Sequence, residues 1–441
     1  MDPQHSESSN PQGEVRNSNN RRHDDKRPPK KKGLNPLQRA IQDFVTHHLP
    51  PSLLSDHGVS PDALSSSFPK RFSIYEPMLL LPVNAFDTPP WSTVYKALSA
   101  EQKEALYATI ARNFSRQRVT HVAINAPIVL TDMQGQENRM RSPVGLIPLY
   151  GDFGPVASGQ AEDAQPTEDD FQRAFWVRTV QIRGIEQVWA PLHTMFSRGN
   201  ITEKLRIMGH EGTFEGLDEP SLSGERIGDI AVVDMYAGIG YFVFSYLRRG
   251  VRRVWGWEIN GWSVEGLRRG CLANGWGCKV VRIESDGSLS EPLPDLVDGL
   301  RDTDRVVVFH GDNKYAADIM REIRELMRDR QLWNSIRHVN LGLLPTSQDA
   351  WDSACKTTDI EKGGWIHVHE NVDFQHTEEK KYEVTMEVAR LRSQAMGLSQ
   401  VIESTAICRH IEQVKTYAPG VMHCVFDIEL PPRGMFSDQL M

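Results

Sequence analysis

A strand, a glycine-rich turn and a helix follow one another between residues 232 and 260, in the stretch VVDMYAGIGYFVFSYLRRGVRRVWGWEIN. The stretch opens on apolar residues, turns at Gly238 and Gly240, and ends on a second apolar run that closes with Glu258. Glycine in such a turn lets the backbone approach a ligand without a Cβ clash, and the following helix presents its N-terminus. This layout predicts a parallel α/β sheet with a nucleotide-like ligand at the carboxyl ends of its strands.

The spacing of the glycines excludes two common nucleotide sites. A dinucleotide fingerprint requires G-x-G-x-x-G, and here Val243 occupies the position of the third glycine. A P-loop requires G-K-[ST] after its glycines, and no such sequence follows. Glu258 ends the second strand, where a carboxylate can accept both ribose hydroxyls of NAD or of S-adenosylmethionine.

Two further strand ends favour S-adenosylmethionine. Asp234 precedes the glycines, where its carboxylate can face the ligand or order the loop through backbone N–H groups. Asp312 and Asn313, in the sequence GDN, follow another strand and can meet the amino group and a ring nitrogen of adenine. Together with Glu258 they predict S-adenosyl-L-methionine as co-substrate, the alternative being an α/β domain with ordinary polar strand ends.

Composition is that of a soluble protein with two or three domains. The chain has 441 residues, 39% of them hydrophobic, and its apolar runs are shorter than the ~20 residues that span a bilayer. The polar N-terminus is not a secretory signal. The five cysteines form no CxxC pair, so we expect reduced core thiols in a cytoplasmic enzyme, and no metal. A net charge of −8 argues against RNA binding through overall charge, so RNA binding would require a local basic patch.

The sequence divides into three regions. Residues 1–33 lack the apolar residues needed to offset the entropy of ordering and end in a basic run, so we expect a disordered tail that is a nuclear signal, a loose RNA contact or simply solvated. Residues 34–215 predict an α+β substrate-recognition region. Residues 216–434 alternate strands and helices, which predicts a Rossmann-like, class I methyltransferase-like domain ending in an antiparallel hairpin. Segments 152–170 and 285–304 are interpreted as a mobile loop and a surface insertion.

Five motifs, in the order SRGNITEKLR, DMYAGIGYF, GDN, NLGLLPTSQDAW and GGWIHVHENV, resemble the tRNA wybutosine-synthesizing protein 2 family. That family is the aminocarboxypropyl-transferring relative of the tRNA guanine-37 N1-methyltransferases. The resemblance covers residues 175–430 well and the N-terminal region loosely. Gly261 stands where the family often has proline, which we expect to alter the turn after Glu258 without moving its carboxylate.

Two of these motifs separate the branches of the superfamily. Methyltransferase relatives carry an Asn-Leu-Pro-type motif after the fourth strand, whereas here Leu343 and Leu344 stand between Gly342 and Pro345. The fifth strand ends in HVHEN, which also differs from the methyltransferase pattern. Both features resemble the aminocarboxypropyl branch.

The resemblance implies a reaction and a set of contacts. The reaction is transfer of the 3-amino-3-carboxypropyl group of S-adenosylmethionine to C7 of 4-demethylwyosine at position 37, in the anticodon loop of tRNA(Phe), releasing 5′-methylthioadenosine. The implied cofactor contacts are Ser197, Lys204, Glu258, Asp312 and Asn313. Lys204 is expected to hold the methionine carboxylate as a point charge, the alternative being an exposed helix lysine.

Two histidines are candidates for proton transfer. His367 and His369 alternate along the fifth strand and therefore share one face. Either imidazole can accept the C7 proton after attack, because its pKa lies near neutrality. The alternative is that both only shape the base pocket. The sequence PKRF at 69–72 is a candidate phosphate contact, the alternative being an ordinary solvent-exposed surface.

Three other functions stay open. A tRNA guanine-37 N1-methyltransferase would use the same cofactor site. A small-molecule methyltransferase would not need the long N-terminal region. A non-catalytic tRNA-binding protein is disfavoured by the complete set of Glu258, GDN and SRGN.

Overall fold

A computed structural model describes residues 33–125, 146–155, 165–197, 199–212 and 214–439. The expected N-terminal tail lies outside these ranges except for Gly33. Of the expected loop at 152–170, only the two ends lie within them. Within the described part, no helix combines the length and the apolar character needed to cross a membrane.

The N-terminal region is built from short helices and one small sheet. Its elements are α1 (Pro36–His47), α2 (Pro51–Asp56), α3 (Pro61–Ser67), β1 (Ser73–Tyr75), β2 (Met78–Leu81), α4 (Trp91–Ala97), α5 (Ala100–Asn113), β3 (His121–Ile124) and β4 (Ile147–Tyr150). The strands pair in the order β1-β2-β3-β4. Asn35 and Gln38 cap the start of α1 reciprocally, and the apolar face of that helix, including Leu37 and Phe44, is buried. This is the predicted α+β arrangement.

A connecting segment packs on the second domain. It contains α6 (Glu168–Arg173), β5 (Val177–Val180), β6 (Glu186–Trp189) and α7 (Ile201–Ile207). Strands β5 and β6 form an antiparallel hairpin. Ile185 and Ile207 share one hydrophobic core with Val243 and Val254 of the second domain. The predicted boundary between residues 215 and 216 stays a prediction, but these contacts tie the residues before it to the domain after it.

The second domain alternates strands and helices. Its elements are β7 (Ile230–Asp234), α8 (Val243–Arg249), β8 (Arg253–Glu258), α9 (Gly261–Ala273), β9 (Gly277–Arg282), α10 (Leu293–Asp298), β10 (Asp304–His310), α11 (Ala316–Asp329), β11 (Ser335–Leu341), α12 (Trp351–Thr357), β12 (Gly364–Asp373), α13 (Thr377–Ala395), β13 (Ile407–Ala418) and β14 (Val421–Leu430). The sheet order is β9-β10-β8-β7-β11-β12-β14-β13. Strand β14 runs antiparallel to both β12 and β13, and the other described pairs of this sheet are parallel. This confirms the class I, Rossmann-like fold and the C-terminal hairpin.

Two local features differ from the prediction. Strand β9 was not expected, because its sequence GCKVVR at the edge of the sheet lacks a clear alternation of apolar and polar residues. Segment 285–304 is more than a surface insertion, since it contains α10, whose Leu293, Leu296 and Val297 are buried in the core. Proline at the first turn and three apolar residues on one face explain this helix.

Candidate cofactor and substrate site

The polar strand ends of the second domain meet at one edge of the sheet. Asp234 ends β7 and lies opposite Asn340 of β11. Glu258 ends β8 and lies opposite His310, which ends β10 just before the GDN sequence. The structure therefore brings together Asp234, Glu258 and GDN at the edge where parallel sheets bind ligands.

The glycine loop fixes the carboxylate of Glu258. Gly238 and Gly240 have φ angles of +54° and +88°, a left-handed conformation that strongly favours glycine. The N–H of Gly238 donates to Oε2 of Glu258 over 2.9 Å, and the N–H of Asn260 donates to Oε1 over 2.8 Å. Both carboxylate oxygens are thus oriented by backbone, which gives a ligand hydroxyl a defined acceptor.

Local packing explains the glycine at position 261. A Cβ at this position would lie 2.9 Å from Pro166 side-chain atoms, so the connecting segment approaches the start of α9 closely. The N–H of Asn260 donates to the carboxylate of Glu258. This agrees with the expectation that glycine in place of proline does not move that carboxylate.

Asp234 orders the loop and keeps one oxygen that has no partner in the described part of the chain. Its Oδ1 accepts from the N–H of Tyr236 over 3.1 Å and from Nδ2 of Asn340 over 3.2 Å. Within the described residues, Oδ2 of Asp234 and Oδ1 of Asn340 are buried without a hydrogen bond. Burial, and then the nearby Glu258, raise the pKa of Asp234 to about 7. Buried acceptors of this kind fit a ligand that supplies donors.

Lys204 is buried, not an exposed helix lysine. Its side chain is 6% exposed, and its Nζ donates to Oε1 of Gln187 over 3.3 Å and lies 5.5 Å from the ring centroid of Tyr241. No carboxylate pairs with it among the residues that the structure describes. Burial lowers its pKa to about 8. Because a buried cation without a counter-ion is costly, the position fits an anionic ligand group.

This buried ammonium makes stability depend on pH. The folded pKa of about 8 lies below the ordinary 10.5, so between these values the unfolded chain binds more protons and stability rises with pH. We expect the free energy of unfolding of the wild-type chain, relative to Lys204→Met, to rise by up to ~3 kcal/mol across this window. Urea unfolding at several pH values measures the difference, and a pH-independent difference would contradict the prediction.

Ser197 and its neighbours connect α7 to the glycine loop. The N–H of Ser197 donates to Oη of Tyr241 over 3.2 Å, and that hydroxyl donates to the backbone oxygen of Met195 over 2.5 Å. Nζ of Lys415 would lie 2.2 Å from a Cβ at Gly199. Tyr241 and the C-terminal hairpin therefore both approach described residues that precede α7.

The GDN sequence is held as a turn. Nδ2 of Asn313 donates to the backbone oxygen of Met235 over 2.8 Å, which joins this turn to the end of β7. Oδ1 of Asp312 accepts from the N–H of Lys314 over 3.0 Å. Contact of these side chains with an adenine stays a prediction.

The position of His367 argues against its expected role as a base. Its Nδ1 lies 2.6 Å from Oδ1 of Asp427 and its Nε2 lies 2.9 Å from Nδ1 of His338. The ring also stacks on Phe214, with centroids 4.5 Å apart. With both nitrogens engaged inside the core, His367 has no atom to present to a substrate.

One ring nitrogen of His369 is unpaired in the part of the chain that the structure describes. Its Nδ1 lies 3.0 Å from Nε2 of His423, while its Nε2 is buried and has no partner among the described residues. Burial, and then His423, lower the pKa of His369 well below its ordinary value. The ring is therefore neutral near pH 7, and its Nε2 is an acceptor in the tautomer whose Nδ1 donates toward His423.

Comparison with known proteins identifies the family. The sequence is 39% identical over 362 residues to tRNA wybutosine-synthesizing protein 2 of Schizosaccharomyces pombe, which covers 82% of this chain and 72% of the relative. The chain belongs to the tRNA wybutosine-synthesizing protein 2 family. The Saccharomyces cerevisiae protein of the same name is 29% identical over 410 residues, with coverage of 86% and 79%. No protein-family model matches the sequence.

Solved structures of similar proteins include the P. horikoshii TYW2 protein in complex with MeSAdo. It is 17% identical, covers 89% of this chain and 98% of its own, and has a TM-score of 0.49. The M. jannaschii TYW2 protein in complex with AdoMet is 20% identical, covers 58% and 86%, and has a TM-score of 0.37. Family membership confirms the resemblance that the five motifs carry.

Two residues of the site were not identified from the sequence. Asn340 is the one amide within an otherwise apolar stretch at the end of β11, and that contrast is a usable signal. Gln187 lies in a short strand, and its contact with Lys204 depends on the fold of the connecting segment.

Among the described residues, no group of three or more His, Cys, Asp or Glu side chains is arranged to hold a metal ion.

Proposed function

We propose that this chain is an S-adenosylmethionine-dependent transferase of wybutosine biosynthesis that acts on tRNA. Its 39% identity to the S. pombe protein, over 82% of the chain, carries the proposal. The oriented Glu258 carboxylate and the buried Lys204 ammonium support a cofactor with ribose hydroxyls and a carboxylate. The five free cysteines agree with a reducing compartment, and we assign the enzyme to the cytoplasm.

The cofactor supplies its 3-amino-3-carboxypropyl group to C7 of 4-demethylwyosine at position 37 of tRNA(Phe), and 5′-methylthioadenosine is the by-product. The tRNA contributes its anticodon loop. In-line displacement at a sulfonium needs positioning more than it needs acid or metal assistance, because the leaving group is already activated by its charge. The work of the protein is therefore to orient the two substrates.

Each candidate residue has a proposed role in that orientation. Lys204 holds the carboxylate of the amino-acid arm, and Oδ2 of Asp234 accepts a hydrogen bond from a donor of the ligand. Glu258 accepts the ribose hydroxyls, and Asp312 and Asn313 contact the adenine. The backbone of Ser197, Gly238 and Gly240 surrounds the bound cofactor. By anchoring the arm at its carboxylate, Lys204 determines which carbon faces the base.

His369 is the proposed proton acceptor, since its neutral Nε2 is unpaired among the described residues. We expect His369→Gln to lower kcat about 100-fold, within the range of general-base contributions, with unchanged affinity for S-adenosylmethionine. Steady-state kinetics at saturating tRNA and S-adenosylmethionine measures kcat. An unchanged kcat would remove His369 from the chemistry.

The proposed reaction is tested by its by-product. We expect the purified chain, incubated with S-adenosylmethionine and tRNA carrying 4-demethylwyosine, to release 5′-methylthioadenosine and to add the aminocarboxypropyl group, both detected by mass spectrometry. Release of S-adenosylhomocysteine would instead indicate methyl transfer. Absence of any turnover, with tRNA bound, would indicate a binding protein.

A further inference from the structure

A cavity lies between the N-terminal sheet and the segment that precedes α7. Its volume is about 690 Å³, within the range of small-ligand pockets, which is roughly 300–1,000 Å³. Its lining includes Phe72, Tyr75, Trp189 and Phe196, together with Lys70 and Arg71.

The aromatic wall of this cavity is a preformed stack. The ring centroids of Trp189 and Phe196 lie 4.2 Å apart at an interplanar angle of 12°, and Tyr75 meets both rings edge-on at 4.8 and 5.3 Å. Trp189 and Tyr75 are buried and pack against Phe196, which is only half-buried. Aromatic rings that line a cavity are the usual platform for an unpaired nucleotide base.

The mouth of the cavity is positively charged. Lys70 and Arg71 are exposed and form no ion pair within the described part of the chain. The neighbouring Arg118 and Arg178, by contrast, both pair with Glu76, at 3.4 and 3.1 Å. The two cations at the cavity are therefore left to bind an external anion, and phosphate is the anion that accompanies a base.

The cavity adjoins the cofactor site without containing it. Met195 and Phe196 line the cavity, and Tyr241 of the glycine loop joins the backbone of Met195 to that of Ser197. Neither Lys204 nor Glu258 lines the cavity. A base bound there therefore lies close to the cofactor site but apart from the residues proposed to hold the cofactor.

We propose that this cavity binds an unpaired nucleotide of the RNA adjacent to the one that reacts, with its base on the aromatic wall and its phosphate on Lys70 and Arg71. The inference rests on the proposed function, because it assumes an RNA substrate. It predicts that the enzyme reads at least two consecutive nucleotides of the loop.

The test is binding of a fluorescently labelled anticodon stem-loop RNA to the full chain without cofactor. We expect the Lys70→Ala/Arg71→Ala double variant to raise Kd at least 10-fold. The slope of log K against log salt should fall by about 0.7, the value for one single-strand phosphate contact. Lys96→Ala/Arg112→Ala removes two other exposed cations of the same region and should change both quantities less.

A position-specific probe completes the test. 2-Aminopurine is placed on either side of position 37. The wild-type chain should quench its fluorescence at one of the two positions, and the Lys70→Ala/Arg71→Ala variant should lose this quenching. Equal Kd and equal quenching for both double variants would overturn the inference while leaving the proposed function intact. Failure of the wild-type chain to bind the RNA at all would count against the proposed function itself.

Discussion

Lys204→Met is expected to weaken binding of S-adenosylmethionine by about 10- to 100-fold and to leave the unliganded protein as stable as the wild type, or more so. A hydrogen bond to a charged group contributes ~1.5–3 kcal/mol, which corresponds to that loss of affinity. In the unliganded protein the ammonium is buried and has no carboxylate partner among the described residues, so its removal relieves a desolvation cost. Methionine preserves the length and most of the packing of the lysine stem.

Opposite effects on affinity and stability distinguish a ligand anchor from a structural lysine. Isothermal titration calorimetry gives the affinity, and urea unfolding without ligand gives the stability. Lys356→Met is the matched control, since Lys356 is half exposed, lies on a helix and pairs with Asp352. We expect that variant to alter neither quantity beyond ~1 kcal/mol. Loss of stability together with unchanged affinity in Lys204→Met would contradict the proposed role.

The sequence predicted those parts of the site that depend on strand order alone. Asp234, Glu258 and Asp312 each follow an apolar strand, and the carboxyl ends of parallel strands meet at one edge, so their proximity could be inferred without coordinates. The positive φ angles of Gly238 and Gly240 likewise follow from a tight turn. These are local signals combined with one rule of topology.

The sequence did not predict what covers the sheet. Strand alternation correctly placed His367 and His369 on one face, but it does not reveal which side chains lie over that face. The partner of His367 is Asp427, 60 positions away in the chain. The burial of Lys204 likewise depends on the packing of the connecting segment on the second domain. Contacts of this range have no periodic signature in a single sequence.

One buried polar network links α7 to the C-terminal hairpin. Arg206 donates to both oxygens of Glu203, at 2.9 Å each, and to both oxygens of Asp427, at 2.5 and 3.2 Å. All three side chains are buried. Burial opposes ionisation of Asp427, but His367 and Arg206 beside it lower its pKa below the ordinary value. Because Lys204 lies between Glu203 and Arg206, the network also fixes the helix that carries the proposed anchor.

Asp427→Asn should therefore destabilise the fold by about 3–5 kcal/mol, because it leaves the buried guanidinium of Arg206 without its main counter-charge. Glu429→Gln is the matched control on the same strand. Its partner Arg409 is 45% exposed at the side chain, so the loss should stay below ~1 kcal/mol. Urea unfolding of both variants at neutral pH measures the contrast. Near-equal losses would mean that Asp427 stabilises the hairpin no more than a surface ion pair does. A large loss confined to Asp427→Asn, together with weaker cofactor binding at temperatures where the variant remains folded, would show that the network positions α7 for its ligand.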